Sequence, residues 1–133
     1  MEKMRMKSSF CLMLQEENDH NWVMMIRSLT DITPVPSSHK VGLKRVLLAA
    51  EESGCAITQI AVTDLKAGEV AEAHVHEDMM EGFYVMSGLL DMVLDGEVEH
   101  CMEGDFVWVR CGVRHEVRAV TNVRMMTVGC LIA

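Results

Sequence analysis

From Arg45 to the C-terminus, apolar and polar positions exchange in short runs that end at turn signals. The clearest is Leu90-Met92-Leu94 interleaved with Asp91-Val93-Asp95, a period of two that predicts a strand with one buried face. Asp95-Gly96 is a two-residue hairpin signal leading into a second strand, Glu97 to Cys101. Arg45 to Ala50 predicts another strand. So does Ile57 to Thr63, rich in β-branched residues and closed by Leu65-Lys66-Ala67-Gly68. Gly82 to Met86, the stretch after Gly104 to Val109, Glu116 to Val120, and Val123 to Ile132 after a Thr121-Asn122 turn complete the set. Many short strands, with turn signals about every 8–12 residues, predict an all-β jelly roll of two sheets around a pocket.

The first third reads differently. Phe10 and Leu14 lie four apart, as on a helix face, and Trp22 to Ile26 is an apolar run compatible with helix or strand. Thr33-Pro34-Val35-Pro36-Ser37-Ser38 is an extended break that cannot continue a helix. Residues 1–40 are therefore expected to form an N-terminal arm.

The candidate chemistry lies between Gly68 and Gly88. Five residues separate Gly68 from His74, four separate His76 from Glu81, and six separate Glu81 from Gly88. In an extended strand His74 and His76 point to one face and Val75 to the other. A short connection, Glu77 to Met80, returns the chain so that the Glu81 carboxylate, at the entry of the next strand, meets the two imidazoles. A second stretch offers a further ligand: after the loop Arg110-Cys111-Gly112-Val113-Arg114, His115 opens a strand. Imidazole with carboxylate suits one divalent transition metal such as Zn, Fe, Mn, Ni or Co.

At these positions the chain resembles the cupin superfamily. Gly68, His74, His76, Glu81 and Gly88 match its first motif throughout, and Gly104, Gly112 and His115 match its second. The usual proline of the second motif is Arg110 here, and its closing asparagine is Ala119. Fifteen residues separate Gly88 from Gly104, the short spacing of small prokaryotic-type cupins. The resemblance implies a double-stranded β-helix (jelly-roll) barrel over 41–133, a metal held by His74, His76, Glu81 and His115, and a small-molecule ligand or substrate. It allows isomerases, dioxygenases, decarboxylases and non-catalytic small-molecule or sugar-binding modules, and fold alone does not choose among them.

Composition narrows the partners. At 133 residues the chain suits one domain with a core of its own, and a formal charge of −8 argues against nucleic acid. No apolar run approaches the ~20 residues needed to span a bilayer, and Phe10 to Leu14 is too short for a signal-peptide core. Five scattered cysteines without a Cys-x-x-Cys pair suggest reduced thiols, so a cytoplasmic location is expected. Covering the sheet edges of so small a barrel, and the Trp22–Ile26 run, predicts a homodimer that uses the arm.

Other residues near the motifs read more plainly. Arg110 and Arg114 could clamp an anionic substrate beside His115, but solvated loop positions are the simpler expectation. Cys111 reads as a structural thiol, and Met79 and Met80 as filler at a pocket mouth or subunit contact. His20, His39 and His100 match no motif position and are not expected to be ligands, and Tyr84 falls on the face opposite Glu81.

Overall fold

The structure, a computed structural model, describes residues 4–5, 11–15 and 22–132. The chain divides into two compact units, Met1–Thr33 and Pro34–Ala133. In the first, β1 (Met4–Arg5), β2 (Cys11–Gln15) and β3 (Trp22–Arg27) form an antiparallel sheet in that order, and a 3-10 turn follows at Leu29–Asp31. The apolar run from Trp22 is thus a strand. Leu14 is likewise extended, pairing with Met24, whereas the Phe10 half of the expected helical pair lies outside the described residues.

The second unit begins with an edge pairing. β4 (Val35–Pro36) bonds to the start of β5 (Leu43–Ala49), so the segment after Thr33 belongs to the sheet of the second unit. Proline is tolerated there because an edge strand does not need every backbone donor. After one helical turn, α1 (Ala50–Ser53), come β6 (Ile57–Leu65), β7 (Val70–His74), β8 (Met79–Ser87), β9 (Leu89–Leu94), β10 (Glu97–Met102), β11 (Phe106–Val109), β12 (His115–Ala119) and β13 (Val123–Leu131). They form two antiparallel sheets, β10-β9-β12-β7 and β11-β8-β13-β6-β5-β4, which is a jelly roll.

Alternation decides what faces inward. Leu90 and Met92 are fully buried, as their period of two predicted, and Val117, Ala119 and Ala71 join them from the neighbouring strands. From the six-stranded sheet come Phe83, Val85, Leu65 and Met125. The opposite parity puts Tyr84, Phe106 and Trp108 on the outer face, all exposed. Gly82 lies among them, and a Cβ there would sit 2.9 Å from the Phe106 ring.

Turn chemistry fixes the register. Asp95 and Gly96 both have positive φ (46° and 84°), as their hairpin turn requires, and Leu94 pairs with Glu97 across it. Gly88 joins β8 to β9 at φ 88°, where a Cβ would lie 2.1 Å from the Asn122 carbonyl oxygen. Only glycine fits that close approach.

Candidate metal centre

The two sheets bring four donor residues together at one end of the barrel interior. β7 and β12 are neighbours, and His74 and His115 are directly opposed in their register, with ring centroids 4.2 Å apart. Glu81 comes from the other sheet, where it pairs with Gly129 of β13. The ladder of β7 ends at His74, so His76 stands just beyond the strand, on a connection that runs from Val75 to Asp78. Glu81 accordingly lies inside β8 rather than at its entry. His76 is held instead through its carbonyl, which accepts a 2.8 Å bond from the Gly112 N–H. That bond ties the first glycine-framed segment to the second, and Gly112 makes it at φ 81°.

One ligand atom from each of His74, His76, Glu81 and His115 lies within 4.8 Å of all the others. Donors around a single ion with bonds of ~2.1 Å are separated by about 3–4 Å, so small side-chain adjustments suffice. The hydrogen bonds show which atoms are free to donate an electron pair. His74 Nδ1 lies 3.0 Å from the Glu72 carbonyl, and His115 Nδ1 lies 3.0 Å from the Val113 carbonyl. A carbonyl only accepts, so Nδ1 carries the proton in both rings and Nε2 presents its lone pair toward the cluster. Those two Nε2 atoms are buried without a hydrogen-bond partner among the described residues. Such an orphan costs about 1–3 kcal/mol unless something occupies it. The donor set therefore fits a divalent cation, with the two carbonyls fixing the tautomer and orientation of the imidazoles.

Charge is concentrated on Glu81. Its Oε1 is in direct contact with His76 Nε2, 3.6 Å from His115 Nε2 and 4.0 Å from His74 Nε2. Burial, the largest single influence on Glu81, favours the neutral acid, but the imidazoles of His115, His76 and His74 outweigh it and hold the carboxyl below its ordinary range. Burial, together with His115 and His76, pushes His74 down. For His115 burial is again the largest influence and acts downward, yet Glu81 and the Val113 carbonyl overcome it and raise the group. A buried negative charge ringed by three imidazole Nε2 atoms is the electrostatic form of a cation site.

The cluster opens into a cavity of about 320 Å³ between the sheets. Phe83, Leu65, Val117 and Met125 supply apolar wall, and Thr58, Gln59, Thr63, Thr127 and Lys44 supply polar groups. His39 also lines it, with its ring 4.3 Å from that of His74; burial and His74 both lower its pKa. Sequence spacing gave no sign of this, because the contact joins the Ser37–Gly42 loop to a strand far along the chain. His100 is exposed and pairs with Asp91 at 2.6 Å, and His20 lies outside the described residues. Arg110, Arg114 and Cys111 do not line the cavity, and both arginines are exposed. Met79 does line it. At the two motif departures the Arg110 carbonyl accepts from the Val113 N–H at 3.3 Å, and the Ala119 carbonyl from the Gly68 N–H at 2.8 Å.

A family model for the cupin domain matches residues 61–129, just over half of the chain and all four clustered residues. The chain belongs to the cupin family. It is 37% identical over 51 residues to quercetin 2,3-dioxygenase of Bacillus subtilis, but the match covers 38% of this chain and only 15% of that protein. Among solved structures, a predicted oxalate decarboxylase from Thermotoga maritima superposes with a TM-score of 0.76 at 23% identity, over 81% of this cupin and 100% of that chain. Oxalate decarboxylase of Bacillus subtilis, a protein with Mn(II) centres, aligns with a TM-score of 0.64 at 20% identity, over 78% of this chain and 28% of that one. At those identities the structural likenesses establish the shared fold. Among the described residues no helix is long and apolar enough to cross a membrane.

Proposed function

We propose that His74, His76, Glu81 and His115 hold one divalent transition metal, from the set zinc, iron, manganese, nickel and cobalt. We propose further that the chain uses it on an oxygenated small molecule in isomerase- or dioxygenase-type chemistry. The observation that carries this reading is the pair of buried, partnerless Nε2 atoms, each with its Nδ1 proton fixed on a backbone carbonyl, converging with Glu81. Three histidines and one carboxylate leave about two positions on an octahedral ion, where it would act as a Lewis acid on a bidentate oxygen donor such as a hydroxy acid, enediol, sugar or β-dicarbonyl compound.

The chain's own groups supply the remainder. The Glu72 and Val113 carbonyls keep two imidazoles in the donating tautomer, and Glu81 contributes negative charge. Phe83, Leu65 and Val117 restrict water. His39, on the cavity wall against His74, is a group able to carry a proton to or from a bound molecule. Its presence favours a catalyst over the alternative, a non-catalytic small-molecule or sugar-binding module.

The test is to restore the metal and screen those four compound classes by product analysis and calorimetry in parallel. Turnover that falls by about 100-fold in Glu81→Ala supports the reading. Binding without turnover across all four classes would instead establish the binding module. We propose a homodimer as the assembly, a reading that the exposed outer-face aromatics Phe106 and Trp108 support. A monodisperse monomer in light scattering on the full chain would refute it.

A further inference from the structure

The cavity has a second polar pole that the metal ligands do not use. Lys44 and Thr63 are directly opposed across β5 and β6, so their side chains share one face, and Thr63 is buried against the cavity. Lys44 therefore points inward, half-buried, and its ammonium donates to Gln59 Oε1 at 2.9 Å. Among the described residues it is the only lysine or arginine that lines the cavity. Among the described residues no carboxylate forms an ion pair with it, unlike Arg45 and Arg124 on the outer face of the same sheet, which both bind Asp64. An ammonium on a partly apolar wall with only a neutral amide for company is poised for an anion.

Register shows how this pole faces the His–Glu cluster. Gln59, Gly129 and Glu81 form one row across β6, β13 and β8. With strands about 4.8 Å apart, the Cα atoms of Gln59 and Glu81 are ~10 Å apart, and the residue between them has no side chain. A Cβ at Gly129 would lie 2.2 Å from Thr58 Oγ1, so glycine there makes room for the Thr58 side chain over this row. Thr58 reaches the cavity because the ladder slips there: Ile57 pairs with Cys130 and Gln59 with Gly129, leaving Thr58 as an extra residue. A bulge of this kind re-aims a side chain, and here Thr58 and Gln59 both line the cavity.

We propose that Lys44, held by Gln59 and flanked by Thr58 and Thr63, is an anion subsite. It takes the distal carboxylate of a small hydroxy- or oxo-dicarboxylic acid whose other end reaches the His–Glu cluster. The inference rests on the reading of that cluster as a metal site, and it narrows the oxygenated small molecule to an acid with a charge at each end. The cavity, at about 320 Å³, is near the small end of ligand pockets and suits a short diacid.

The experiment compares malate with lactate, which share the α-hydroxy-carboxylate end and differ in the distal carboxylate. Binding of each is measured by calorimetry to cobalt(II)-loaded and chelator-treated full chain, for wild type, Lys44→Met and Lys44→Arg. Malate is expected to bind about tenfold tighter than lactate to loaded wild type. That advantage should vanish in Lys44→Met and return in Lys44→Arg, with cobalt stoichiometry equal in all three and lactate affinity unchanged. Equal affinity for the two acids in loaded wild type, an advantage that survives Lys44→Met, or no binding of either acid in either form overturns the subsite. A chain that holds no cobalt yet binds malate in a Lys44-dependent way would refute the metal reading and keep the subsite.

Discussion

Replacing His115 by leucine separates a functional histidine from a structural one, because the two roles predict opposite signs. The side chain is 1% exposed, with Phe83 at 5.9 Å between ring centroids and Val117 and Met92 nearby in the core, so leucine of similar bulk has apolar neighbours. In chelated protein at about pH 9, where the imidazole is largely uncharged, the substitution removes a buried orphan nitrogen that costs about 1–3 kcal/mol. It also loses the Nδ1 bond to the Val113 carbonyl, worth about 1 kcal/mol net. The balance is ~0–2 kcal/mol in favour of leucine. With metal at about 100 times its dissociation constant, wild type gains ~2.7 kcal/mol by mass action. For a barrel unit of about 100 residues the unfolding entropy is ~0.21 kcal/mol/K, so the shift is about 13 °C. Scanning calorimetry with and without chelator should show that shift in wild type, and little of it in His115→Leu. The chelated variant should melt no lower than chelated wild type. A chelated variant destabilised by more than ~2 kcal/mol, with its metal shift intact, would show that His115 is core packing and that the reasoning is wrong.

Two further outcomes follow from the fold. Gly88→Ala should cost at least about 3 kcal/mol in urea denaturation, because left-handed strain is joined by a clash with the Asn122 backbone, whereas Gly96→Ala, at φ 84° with open space around it, should cost only ~1–2 kcal/mol. Equal losses at the two glycines would contradict the close approach seen at Gly88. Asp64 is held below the ordinary carboxylate range, first by its hydrogen bond from Arg124 and then by Arg45. A depressed carboxyl stabilises above its unfolded pKa and loses that contribution as pH falls through the folded one. Asp64→Asn should therefore destabilise at neutral pH, and the difference from wild type should shrink as pH falls below the ordinary carboxylate range. A difference that persists undiminished in acid would refute the ion-pair account.

What the sequence made legible here was local. His74, His76 and Glu81 could be grouped because strand parity and a short return act over a few residues, and parity survived even though the ladder ends at His74. Asp95-Gly96 was readable because both positions need positive φ. The first unit was not readable: its apolar runs lack a decisive period, and its β2–β3 pairing crosses a gap that no turn motif announces. Lys44, Gln59 and His39 were missed for a related reason. Their roles come from register across strands far apart in sequence and from a slip at Thr58, which no spacing rule encodes. Arg110 and Arg114 drew notice by adjacency to His115, but the loop that brings them near in sequence leaves both in solvent.

The central claim is that four side chains make one cation site, and metal content tests it most directly. Full-length protein made without a metal-affinity tag, analysed by inductively coupled plasma mass spectrometry, should carry about one transition-metal ion per chain. The His74→Ala/His115→Ala double variant, folded by circular dichroism, should carry almost none. Stoichiometric metal persisting in that variant, or wild type that takes up none when offered each of the five candidate ions, would contradict the account.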